Sequence, residues 1–205
     1  MELSHVISDF VLAAVAFFVF FKYLRKLDTL STILWESFVL SVAIAAVLGG
    51  IRYAGYSQAG EISAFFQKIA ATVGVLGLLT ASYQLVSGKK LSSLFGYVVI
   101  GIGFILLAIT EFMDFTTIRN NIALICLPLV AILGVWALVK GKLTVGLLLI
   151  AAVAFAAAAV FTPQYLTNAA DGIDAYHYLL ATAVLCFGLA ASHQPKFEEV
   201  QIAAQ

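Results

Sequence analysis

The stretch TNAADGIDAYHYLLATAVLCFGLAAS (Thr167–Ser192) decides the fold. It starts polar and acidic and then becomes a continuous apolar run with a polar lip. A helix needs about 20 such residues to cross a bilayer. Six further runs of this kind occur, giving Val6–Tyr23, Leu30–Tyr53, Ile62–Val86, Leu91–Thr110, Thr117–Val139, Leu143–Thr162 and Ile173–Ser192. Of the 205 residues, 63% are hydrophobic and 11% are charged, where soluble domains carry about 25% charge. So much apolar surface has to face lipid or other helices within lipid. The expected fold is all-α, a single bundle of seven transmembrane helices over residues 1–192. Residues 193–205 form a polar cytoplasmic tail.

Short gaps between runs make successive helices antiparallel neighbours. With the N-terminus outside, the inner ends hold Lys22, Arg25, Lys26, Lys89, Lys90, Lys140, Lys142 and Lys196, eight cations. The outer ends hold three: Arg52, Lys68 and Arg119. The positive-inside rule then predicts N-out and C-in, in the plasma (inner) membrane of a bacterium. The start MELSHVISDF carries acids where a signal peptide carries cations, so the first run reads as a retained helix. Gly49, Gly50, Gly74, Gly77, Gly96, Gly101 and Gly103, with AAVAFAAAAV in the sixth run, suit close helix packing. Pro128 interrupts the fifth run and predicts a kink or a freed carbonyl. Cys126 and Cys186 lie in apolar runs without metal spacing. A net charge of zero gives no basis for nucleic-acid binding.

The charges gather at the outer ends: Asp9, Arg52, Glu61, Lys68, Glu111, Asp114, Arg119, Asp171, Asp174 and His177. An ion deep in hydrocarbon costs about 2.5–3.5 kcal/mol even on the lenient insertion scale, so such groups turn to one another, to water or to a ligand. Lys68 either snorkels outward or pairs with an acid in a pocket. Asp174 and His177 are spaced i,i+3 and share a helix face, as do Glu111 and Asp114. A carboxylate beside an imidazole suits a metal ligand, a general base or a proton relay. The plainer reading makes Asp174 a helix cap and His177 an interfacial side chain. Glu36, with Ser37 and Ser41 nearby, is an intramembrane carboxylate, either functional or bonded to hydroxyls. It lies roughly 24 Å from Arg52 along a helix, so the two cannot pair. His5 falls in an N-terminus expected to fray.

The segments WESFVLSVAIAAVLGGIRYAG (35–55) and DAYHYLLA (174–181) resemble the alkaline ceramidase and progestin/adiponectin-receptor superfamily of seven-helix membrane hydrolases. That resemblance implies zinc held by three histidines, one late in the second helix and two at HxxxH spacing in the seventh, with Ser and Asp completing the site. Here Arg52 stands where the first histidine belongs, and Ile173 and Ala181 flank His177 at four residues. The resemblance therefore implies a pocket kept and a metal lost, with zinc on His177 and Asp174 as the alternative. No lysine in the seventh run supports a retinal, and no P-loop, nucleophile elbow or dinucleotide fingerprint occurs.

The sequence thus leads to a non-catalytic protein with an outward pocket among the second, third and seventh helices. It would bind a lipid, an amphipath or a partner helix through Arg52 and Lys68, walled by Glu111, Asp114, Asp174 and His177. A zinc-dependent lipid amidase, an ion-coupled transporter using Glu36, and a subunit of a larger membrane complex are the alternatives.

Overall fold

A computed structural model describes residues 3–113, 116–165 and 169–195. Asp114 and the tail beyond 195 lie outside the described residues. The helices are α1 (Leu3–Lys22), α2 (Thr29–Tyr53), α3 (Ala59–Ile69), α4 (Val75–Ser87), α5 (Ser93–Phe112), α6 (Thr116–Val139), α7 (Leu143–Tyr165) and α8 (Ala169–Ala191). A π turn, Ala70–Gly74, joins α3 to α4. The described residues therefore give seven helices long and apolar enough to cross a membrane.

The third run is uniform in the sequence, yet its helix changes pitch midway. Thr72 is fully buried and its hydroxyl donates to the Lys68 carbonyl at 2.8 Å, in competition with the backbone ladder. On either side the backbone is pressed by neighbours. A Cβ on Gly74 would stand 2.9 Å from the Phe38 Cα, and one on Gly103 would stand 2.7 Å from the Val73 Cα. Such crowding favours a local one-residue bulge.

The helices close into a ring: α1 packs on α2 and α8, α8 on α7, α7 on α6, α6 on α4, and α4 on α2. α5 lies against α4 and the π turn, outside this ring. The ring is filled, not hollow. Phe187 of α8 is fully buried, its ring 6.5 Å from Trp35 and 6.0 Å, edge-on, from Phe38 of α2. Leu34, Val39, Leu78, Val130 and Leu149 close the same dry core. The alanines of the sixth run bury Ala152, Ala156 and Ala159 where α7 meets α8, as expected of small residues. Among the seven glycines expected to serve close packing, Gly101 is the exception, since a Cβ there would meet nothing within 4 Å.

Helix ends follow local chemistry. The Asp28 carboxylate caps α2, accepting from the Ser31 backbone at 3.2 Å and the Ser31 hydroxyl at 2.6 Å. Gly88 ends α4 with φ +71°. The last carbonyls of α4 are met by a distant side chain: the Lys142 ammonium donates to Leu85 O at 2.9 Å and Val86 O at 3.0 Å. Burial and the neighbouring Lys140 charge pull the Lys142 ammonium below the ordinary lysine range. Lys142→Met keeps the stem and removes the donor. It should lower stability by about 1 kcal/mol, read as a shift in unfolding midpoint of the detergent-solubilised protein.

Candidate functional site

α1 and α8 begin at the same end of the bundle, and α2 finishes there. His5, Ser8 and Asp9 are spaced i, i+3, i+4 and so share one face of α1. That face meets Asp174 and His177 of α8. The His5 Nδ1 lies 2.7 Å from Asp174 Oδ1. The Ser8 hydroxyl donates to the same oxygen at 2.7 Å, and it also lies 2.9 Å from His177 Nδ1. On the far side of that ring, His177 Nε2 lies 3.3 Å from Asp9 Oδ1. Five side chains thus form one chain of contacts in the order His5, Asp174, Ser8, His177, Asp9.

The chain runs inward. Asp174 is 18% exposed and Asp9 5% at the side chain. Asp9 lies six residues into α1, roughly 9 Å along the axis. Its Oδ2 is buried without a hydrogen-bond partner. Gly49 of α2 makes room for this carboxylate, since a Cβ there would fall 2.7 Å from Oδ2. Below Asp9, α1 continues with buried Leu12, Ala13 and Ala16, so the polar chain stops on an apolar floor.

Arg52 and Tyr53 complete the outer rim. The Arg52 guanidinium sits 4.9 Å from the centroid of the Tyr53 ring. That ring in turn packs 4.8 Å from the His5 imidazole. Arg52 itself is exposed.

The sequence-predicted residues divide between two places. Asp174 and His177 belong to the chain just described, with Arg52 at its rim. Lys68 forms an ion pair with Glu111 between α3 and α5, apart from that chain. One hollow shared by Arg52, Lys68 and His177 is therefore not what the helices build. His177 turns into the α1–α8 seam while Lys68 faces α5, and α1 replaces the third helix as the wall of the site. Glu36 lies half-buried near the other end of α2, and no described residue bonds to it. Ser41 is satisfied locally, donating to Ser37 O at 2.7 Å.

His5 and Ser8 are the side chains of this candidate site that reasoning from the sequence missed, and Asp9 was counted among the outer charges without being assigned to the site. His5 does not fray: it is 2% exposed, held by Asp174. The signal was present as the i, i+3, i+4 spacing within HVISD (5–9).

The zinc site implied by the family resemblance does not fit these residues. Both ring nitrogens of His177 are engaged, by Ser8 and Asp9, and Arg52 would repel a cation at the rim. Among the described residues no group of three or more His, Cys, Asp or Glu is arranged to hold a metal.

A family profile described as "Family of unknown function (DUF6962)" matches residues 4–196. No curated protein and no solved structure matches the chain.

Proposed function

We propose, for a chain that belongs to the DUF6962 family of unknown function, that it is a proton-coupled membrane protein of carrier type. Its working part is the His5–Asp174–Ser8–His177–Asp9 relay. The observation that carries this reading is the contact between His177 Nε2 and Asp9 Oδ1 at 3.3 Å, taken with the hydrogen supply along the chain.

The Ser8 hydroxyl has one hydrogen and two partners on the relay. When it donates to His177 Nδ1, the ring carries its own hydrogen on Nε2, the nitrogen that faces Asp9 Oδ1 at 3.3 Å. A proton arriving on Asp174 changes the order. Asp174 passes its hydrogen to the Ser8 oxygen, and Ser8 releases its own to His177 Nδ1. The ring then gives up the Nε2 hydrogen to the Asp9 carboxylate. The net event is one proton carried from the rim to Asp9. The final state has Ser8 free to donate to Asp174 again and His177 donating to Ser8. Intramembrane acids and histidines serve proton relays of this kind. Because the relay ends on an apolar floor, further passage requires movement of α1 against α2 and α8, which is carrier behaviour and not that of an open channel.

The lysine and arginine distribution supports an N-out, C-in arrangement, placing the relay at the outer face of the plasma membrane. The ceramidase-like resemblance bears on ancestry alone in this reading. The amphiphile-binding alternative keeps Arg52 as its cation but loses Lys68, which is engaged by Glu111.

The test is proton uptake after a pH jump, followed with a soluble dye on the purified protein. The wild type should take up one proton per chain that Asp9→Asn does not. Equal uptake by both proteins would refute the relay. A second reading is supported by Ser8, His177 and Asp9 standing in nucleophile, base and acid order. It needs an accessible serine, and Ser8 is 0% exposed. Covalent labelling of Ser8 by a fluorophosphonate would favour hydrolysis over proton exchange.

A further inference from the structure

The end of the bundle opposite the relay carries a different surface. Between α4, the turn at Leu91, α5 and α6 lies a groove of about 540 Å³, walled by Leu79, Tyr83, Leu91, Phe95, Leu129 and Leu133. That volume lies within the roughly 300–1,000 Å³ of small-ligand sites. Tyr83, Phe95 and Leu129 are exposed, so the groove opens sideways, where a bilayer surrounds the protein.

Its mouth is cationic. Leu91 on one wall directly follows Lys89 and Lys90, both exposed. On the other wall Tyr83 stacks with Trp136 at 6.2 Å, and the Lys140 ammonium lies 4.1 Å from the centroid of the Trp136 ring. Lys142 is not available, since the α4 carbonyls hold it. The turns 87–93 and 139–143 contain no acid to neutralise the other three lysines. Trp and Tyr side chains beside lysines mark the depth of lipid headgroups, and basic pockets between helices suit acidic headgroups.

We infer that this groove holds an acyl chain of an anionic phospholipid whose phosphate sits among Lys89, Lys90 and Lys140. The apolar wall takes any lipid tail, and the three ammoniums select the charge. The site is separate from the relay and stands without it.

The experiment uses the full chain purified with phosphatidylglycerol and phosphatidylcholine at equal mole fraction, with retained lipid read by native mass spectrometry. The wild type should retain phosphatidylglycerol preferentially. Preference should fall about fivefold for each lysine removed, and the K89Q/K90Q/K140Q protein should retain both lipids alike. Leu129→Trp fills the groove from an exposed position and should reduce retention of either lipid while the unfolding midpoint holds. An unchanged preference in the triple variant, or unchanged retention in Leu129→Trp, overturns the proposal. So does efficient disulfide cross-linking between Ile132→Cys chains in the same membranes, which would seat a second copy there.

Discussion

Phe187→Ala is expected to destabilise the bundle by about 3 kcal/mol, at the low end of the range for removing a buried phenyl ring. The low end applies because the reference state is different. A helix separated from its neighbours within lipid is still surrounded by hydrocarbon, so little transfer energy is lost. What remains is the void. Phe187 is fully buried between Trp35 and Phe38, and those two stiff rings cannot close over the space it leaves. Phe187→Leu, which keeps most of the volume, should cost less than half as much. Unfolding in mixed micelles, followed by the combined fluorescence of Trp35 and Trp136, reads both variants. Equal midpoints for the Ala variant and the wild type would mean that the ring centre is not tightly filled.

Asp174→Ala should cost about 2 kcal/mol, because it removes the carboxylate 2.7 Å from the buried His5 Nδ1. Ser8 is affected less, since its hydroxyl also lies 3.2 Å from the His5 carbonyl oxygen and 2.9 Å from His177. Asp174→Asn keeps an accepting oxygen and should recover most of the stability. The two variants also separate structure from proton transfer. Asp174 is the rim end of the relay, so its loss should slow proton uptake by tenfold or more on the ordinary scale of acid–base catalysis. The final stoichiometry should stay at one, because Asp9 remains. An unchanged rate would mean that protons reach Asp9 by another route, and the order of transfers would have to be redrawn.

The seven spans were legible because lipid imposes one rule on every residue of a span: the backbone must bond to itself and the side chains must be apolar. That rule acts locally, so it shows in the sequence. The site was only half legible. Asp174 and His177 declare themselves through their spacing on one helix. Their partners His5, Ser8 and Asp9 are more than 160 residues away, and no local pattern states which helix lies beside α8. Closure of the ring brings the first helix against the last. The sequence pointed to the third helix because Lys68 is the more conspicuous charge. Once Lys68 is seen bonded to Glu111 across α3 and α5, it becomes a plain example of an interfacial cation finding an acid. The change of pitch at Ala70–Gly74 was hidden for the same reason, since it is set by Phe38 and Gly103 pressing from other helices.

That change of pitch also fixes the phase of one half of a span against the other. A π turn holds one more residue than the α-helical path it interrupts. A relative lacking one residue between 70 and 74 would run straight through in α-helical register. Everything on the α3 side would then swing by about 100° around the axis, carrying the position equivalent to Lys68 away from α5. The length of this short segment, and not only its composition, therefore sets which neighbour that lysine can reach. Relatives that differ by a single deletion here should lack the α3–α5 ion pair altogether.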